Sequence, residues 1–133
     1  MLNRSNAGRL WLSESYDNGE NWSDSFPTGF LVESSQFNVG RLPDGRYYIV
    51  SNGQKHLTWD RKELYLYISE DGFLFDKRYT VRDEDDYKIM QKGLAKGGAF
   101  AYPTTVIHDG YIVISYTKQK EAVEVTKILI NDI

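Results

Sequence analysis

At 133 residues with no cysteine, the chain is long enough for one ordinary domain and has neither a disulfide nor a thiolate metal site. A net charge of −3 supplies no basic field for nucleic acid, and no apolar run approaches the ~18 residues of a membrane-spanning helix. Ten Tyr, six Phe and three Trp are a heavy aromatic load that suits packed strands and, secondarily, sugar-binding surfaces.

Residues 9–14 (Arg-Leu-Trp-Leu-Ser-Glu) alternate and predict a strand closed by a turn. Residues 15–22 then read Ser-Tyr-Asp-Asn-Gly-Glu-Asn-Trp, a full match to S-x-D-x-G-x-x-W. In such a segment Ser and Asp side chains bond back to the turn backbone and Gly supplies a φ > 0 position. The Trp ring is expected to plug the hairpin into its sheet. Residues 26–32 are the expected partner strand, with Pro27 suiting an edge. Residues 37–42 and 46–51 predict a hairpin about Pro43-Asp44-Gly45. A polar loop over 52–62 leads to residues 63–69 (Glu-Leu-Tyr-Leu-Tyr-Ile-Ser), a cleanly alternating strand. It feeds a degraded second copy of the turn, Ser69-Glu70-Asp71-Gly72-Phe73-Leu74-Phe75, at one spacing from Gly19 to Gly72 and from Trp22 to Phe75. Residues 75–81 complete that unit.

Residues 82–98 have no period and predict a long loop, which is a lid, a site wall or simply a mobile segment. Strands over 102–107 and 111–116 flank the turn His108-Asp109-Gly110, and residues 122–130 form a last strand on their β-branched content. No helix is predicted. A repeat of this period built from short strands points to β-propeller blades. The expected fold is therefore all-β, a partial β-propeller of about two to three blades of antiparallel four-stranded meanders. Four blades of about 40–50 residues exceed this length, so the chain is expected to be one piece of a larger propeller or to self-associate through exposed sheet edges.

The S-x-D-x-G-x-x-W turn resembles the Asp box of sialidases and related glycoside hydrolases. The resemblance extends to Gly40-Arg41-Leu42-Pro43-Asp44-Gly45-Arg46, to Lys96-Gly97-Gly98 with Tyr102-Pro103, and to Lys120-Glu121-Ala122-Val123-Glu124-Val125-Thr126. It is to the C-terminal part of six-bladed bacterial sialidase-like proteins, and it covers nearly all of residues 9–130. It implies that 8–32 close one blade on its third and fourth strands, that 36–81 are a whole blade, and that 101–130 are most of a last one. It also implies a central channel holding a carbohydrate; no cofactor, metal, nucleic-acid or membrane partner is expected.

In that family a Tyr attacks the anomeric carbon with the help of a Glu, and arginines hold the sugar carboxylate. A phenol with pKa near 10 needs such a base, and the planar guanidinium fork matches both carboxylate oxygens. The resemblance places the nucleophile at Tyr102. The Glu expected ahead of the hairpin is Gln36 here, which cannot act as a base, and the Arg expected after it is Asn52. Gln36, Asn38 and Asn52 remain candidate substrate contacts. Arg61 is either a holder of an anionic sugar group or a solvated loop cation. Lys96, beside two glycines, has the same two readings, and Lys120-Glu121 is either a channel mouth or a surface turn. Glu33 and the run 83–86 are available carboxylates, most simply solvated. His56 and His108 make no metal site, and residues 92–98 lack phosphate-loop spacing. Two functions follow: a fragment of a sialidase-like glycoside hydrolase acting on terminal sugars, expected to be inactive alone, or a non-catalytic propeller binding glycans or proteins. Gln36 and Asn52 favour the second.

Overall fold

The computed structural model describes residues 1–32, 34–53, 61–83, 90–94, 96 and 100–133. It is all-β, with three antiparallel sheets consistent with a partial β-propeller. The first sheet is β1 (Leu2–Asn3), β2 (Arg9–Leu12) and β3 (Phe26–Leu31). The second is β4 (Asn38–Arg41), β5 (Tyr47–Ser51), β6 (Leu64–Ser69) and β7 (Lys77–Arg82), paired in chain order. The third is β8 (Phe100–His108), β9 (Tyr111–Lys118) and β10 (Ala122–Leu129), again an uninterrupted meander.

The middle sheet holds the stack together because its alternation serves two different neighbours. Leu64, Leu66 and Ile68 turn one way with Tyr48 and Val50, onto Phe100, Ile112, Ile114 and Tyr116 of the third sheet. Tyr65 and Tyr67 turn the other way with Ile49, onto Leu10 and Val32 of the first. All six residues of β6 are consequently buried. Each fully buried aliphatic side chain contributes about 1.5–3 kcal/mol. The aromatic face adds edge-on contacts, Phe30 meeting Tyr67 at a centroid distance of 4.8 Å.

Both Asp-box turns form by the side-chain bonds their spacing predicts. In the first, Gly19 N–H donates to Ser15 Oγ (2.8 Å) and Asn21 N–H to Asp17 Oδ1 (2.9 Å), with Gly19 at φ 92°. In the second, Gly72 N–H donates to Ser69 Oγ (2.9 Å), while Phe73 and Leu74 N–H both reach Asp71 Oδ1 at 2.8 Å. They join β2 to β3 and β6 to β7. Trp22 corrects the plug expectation. Its ring closes over its own turn, donating from Nε1 to Gly19 O at 3.0 Å, and stays 47 % exposed. Phe75, at the matching place in the second turn, packs against the aromatic core.

Several boundaries differ from the sequence reading. The two-residue β1 pairs with Leu12 and Trp11 of β2, a strand too short to leave a pattern. The third sheet begins at Phe100, ahead of Tyr102, and β9 continues to Lys118. Residues 130–132 turn into a short 3-10 helix, where a strand end and no helix were expected; its first N–H, that of Ile130, is taken up by Gly110 O.

Candidate functional site

The site expectation centres on the start of β8, where the ladder is irregular. Ala101 pairs with Thr117 and Thr104 with Ser115, so Tyr102 and Pro103 together stand opposite the single residue Tyr116. The extra residue is a β-bulge, and Pro103, which has no N–H to offer a ladder, sits in it without loss. Tyr102 takes the left-handed conformation at φ 57°, which for a bulky residue costs on the order of 1–3 kcal/mol. Its ring is 40 % exposed. The Arg61 guanidinium carbon lies 5.9 Å from the centre of that ring, at the outer reach of a cation–π contact. Two candidates from distant parts of the chain thus stand side by side.

Backbone bonds fix this neighbourhood. Phe100 N–H donates to Arg61 O at 2.9 Å. Asn52 is fully buried, and its Nδ2 donates to Glu63 O (2.7 Å) and to Phe100 O (3.0 Å), while Ser35 Oγ–H donates to its Oδ1 (2.8 Å). Its amide is committed to the protein interior and presents no surface to a ligand. Asn38 is also tied inward: Thr105 Oγ1 donates to its Oδ1 at 2.6 Å and in turn meets Tyr48 Oη at 2.7 Å. Gln36 lies exposed just ahead of β4.

Lys96 and Glu121 form a second group. Lys96 Nζ lies 2.8 Å from Glu121 Oε1 and donates to Gln91 O at 3.0 Å. The Glu121 carboxylate also accepts Met90 N–H (3.1 Å) and Gln91 N–H (2.8 Å). The Lys96 bond, followed by those backbone donors, holds the Glu121 carboxyl below its ordinary range. The pair borders a recess of about 440 Å³ that Gln119 and the exposed Lys120 also line. Gln119 and Lys120 have φ 57° and 58°. Gln119 is 1 % exposed, with neither amide atom bonded.

A further polar pair escaped the sequence reading. Tyr65 donates from its hydroxyl to Glu63 Oε2 at 2.5 Å, and the Arg78 guanidinium stands 4.5 Å above the Tyr65 ring. Burial first, then the Glu63 bond, pushes the Tyr65 phenol up to about 12. The signal was available as Glu-x-Tyr at the mouth of an alternating strand, which puts both side chains on one face. Glu33, His56, Glu84, Asp85, Asp86, Gly97 and Gly98 lie outside the described residues.

Among the described residues no group of acidic and histidine side chains is arranged to hold a metal, and no helix is long and apolar enough to cross a membrane. A search of curated proteins finds no match. The model of the BNR repeat-like domain matches residues 1–114. With paired Asp-box turns closing strands of two adjacent sheets, the chain belongs to the BNR repeat-like domain family.

Proposed function

We propose that this domain recognises a carboxylated terminal sugar of a glycan, with Tyr102 and Arg61 as its contact pair, in a sialidase-like propeller. The observation that carries this reading is the exposed Tyr102 ring, held in a left-handed bulge beside the Arg61 guanidinium. A guanidinium suits a sugar carboxylate because its fork engages both oxygens. An aromatic ring alongside offers a face for the sugar's C–H groups, and rare backbone conformations gather where a side chain must be presented against its local preference.

Hydrolysis is the second reading, and Tyr102 favours it. The phenol oxygen would attack the anomeric carbon as the bond to the leaving oxygen breaks. One carboxylate would take the phenol proton and an acid would return one to the leaving group. Gln36 cannot supply that base, and Asn52 is turned inward, so recognition stands ahead of turnover on these side chains.

Titration of the 133-residue protein with N-acetylneuraminate, followed by NMR, tests recognition, and an aryl N-acetylneuraminide tests hydrolysis. Saturable binding weakened about tenfold by Arg61→Ala is the expected result. Fluorophore release lost in Tyr102→Phe would select the hydrolase. Absence of binding to any carboxylated sugar would overturn the proposal.

A further inference from the structure

We infer that Asn52 is the positioning residue of the Arg61–Tyr102 pair, a buried crosslink that sets where the guanidinium stands relative to the ring. The inference deepens the proposed sugar contact and rests on that reading for its functional consequence, though its geometric core does not.

Arg61 and Tyr102 belong to separate segments, and each lies two positions from a carbonyl held by the same side chain. Asn52 Nδ2 donates to Glu63 O, two residues beyond Arg61, and to Phe100 O, two residues before Tyr102. Fixing those carbonyls anchors the chain two residues from each member of the pair, and so limits where both side chains can stand. Phe100 N–H donating to Arg61 O closes the frame. The Ser35 hydroxyl donates to Asn52 Oδ1, which sets the amide's orientation and leaves both of its hydrogens for the two carbonyls. With Asn52 fully buried, no water competes for these bonds, and every polar atom of the side chain is used.

The crosslink stands where strain has to be held. The bulge leaves Tyr102 in a conformation its side chain disfavours, and such a residue keeps that conformation only when its surroundings over-determine it. The Phe100 end of β8 is the anchor immediately before the bulge. Asp cannot substitute: it keeps an acceptor for Ser35, loses both donors, and sets a carboxylate against two carbonyl oxygens.

The test compares Asn52→Ala and Asn52→Asp with Val50→Ala, a neighbouring core truncation in β5, the strand that leads into Asn52, that leaves the amide in place. The primary readout needs no ligand: the ring-current shift that Tyr102 imposes on the Arg61 Hδ protons, identified by its loss in Tyr102→Leu. Both Asn52 variants should move those protons toward their random-coil position and raise the Kd for N-acetylneuraminate about tenfold, the scale of one lost contact in a binding site. Val50→Ala should lower the melting temperature while leaving shift and Kd unchanged. Should Asn52→Ala not fold, Ser35→Ala, which frees the amide to rotate, gives the same readout. Unchanged Arg61 protons in folded Asn52 variants, or an equal change in Val50→Ala, would overturn the inference. If the parent protein does not bind the sugar, the sugar reading fails while the ring-current result still decides the role of Asn52.

Discussion

The Tyr48 ring lies directly across Gly40, its partner in the β4–β5 ladder, so closely that a methyl group at Gly40 would stand 2.3 Å from Tyr48 Oη. That close approach lets the phenol reach Thr105 on the next sheet, and through it Asn38. Gly40→Ala should push the ring aside and break the Tyr48–Thr105 link between β5 and β8. The expected cost is about 1–3 kcal/mol, read as a melting temperature lower by several degrees. Tyr48→Phe, which loses the hydroxyl and keeps the packing, should cost less. Equal melting of Gly40→Ala and the parent would show that the ring moves freely.

The first Asp box makes stability depend on acid pH. Asn21 N–H, then the Asn21 side chain and the Ser15 hydroxyl, lower the Asp17 carboxyl from 3.8 to about 2. A carboxyl lowered in the folded state adds stability above its unfolded value, and that contribution disappears as pH falls through about 2. Melting temperatures recorded between those limits should therefore fall less steeply in Asp17→Ala than in the parent. Parallel curves would remove Asp17 from the acid response.

Glu121 holds the segment at Met90 and Gln91 by two N–H bonds and the Lys96 ion pair. Glu121→Ala should speed hydrogen exchange at the Met90 and Gln91 amides while leaving β8 and β9 protected. Lowering the pH through the depressed Glu121 pKa should have the same local effect in the parent. Unchanged exchange at both amides would show that other contacts fix the segment.

Gln119 is buried with both amide atoms unbonded, a state that costs about 1–3 kcal/mol relative to a paired or apolar side chain. Gln119→Leu keeps the volume and removes the unpaired groups. It should raise the melting temperature by a few degrees, since the left-handed backbone at Gln119 strains either side chain alike. A fall in melting temperature would mean that the amide is serving the fold.

Legibility in the sequence tracks the distance over which a feature is determined. The alternation of Leu64 through Ser69 and the turn residues Ser15, Asp17, Gly19 and Asp71 act over a few positions, so the all-β partial propeller and its two boxes could be read directly. Tyr102 was legible as a candidate from the family pattern, and Arg61 as a cation following a polar loop. Their adjacency was not, because the crosslink draws on Ser35, Asn52, Glu63 and Phe100, four positions with no local motif in common. The bulge left only the hint of Pro103 inside a strand. Gln119 offered no hint at all, since polarity next to two lysines and a glutamate reads as surface.

The third sheet supplies the last prediction. Its outward face carries Val106, Val123 and Val125 at 57, 71 and 60 % exposure, and the ladder registers place Val113 beside them through Val106 and Lys127. In the middle sheet both such faces are covered, one by each neighbour. An open apolar sheet face next to the edge of an eight-residue strand, β10, which has no partner strand on that side among the described residues, invites another chain. The protein should therefore self-associate as its concentration rises. Sedimentation velocity should show the transition, and a Val123→Lys, Val125→Lys double variant should remain monomeric because two cations on that face repel a second copy and resist burial. Monomeric sedimentation of the parent at every concentration would remove the face from consideration as a self-association surface.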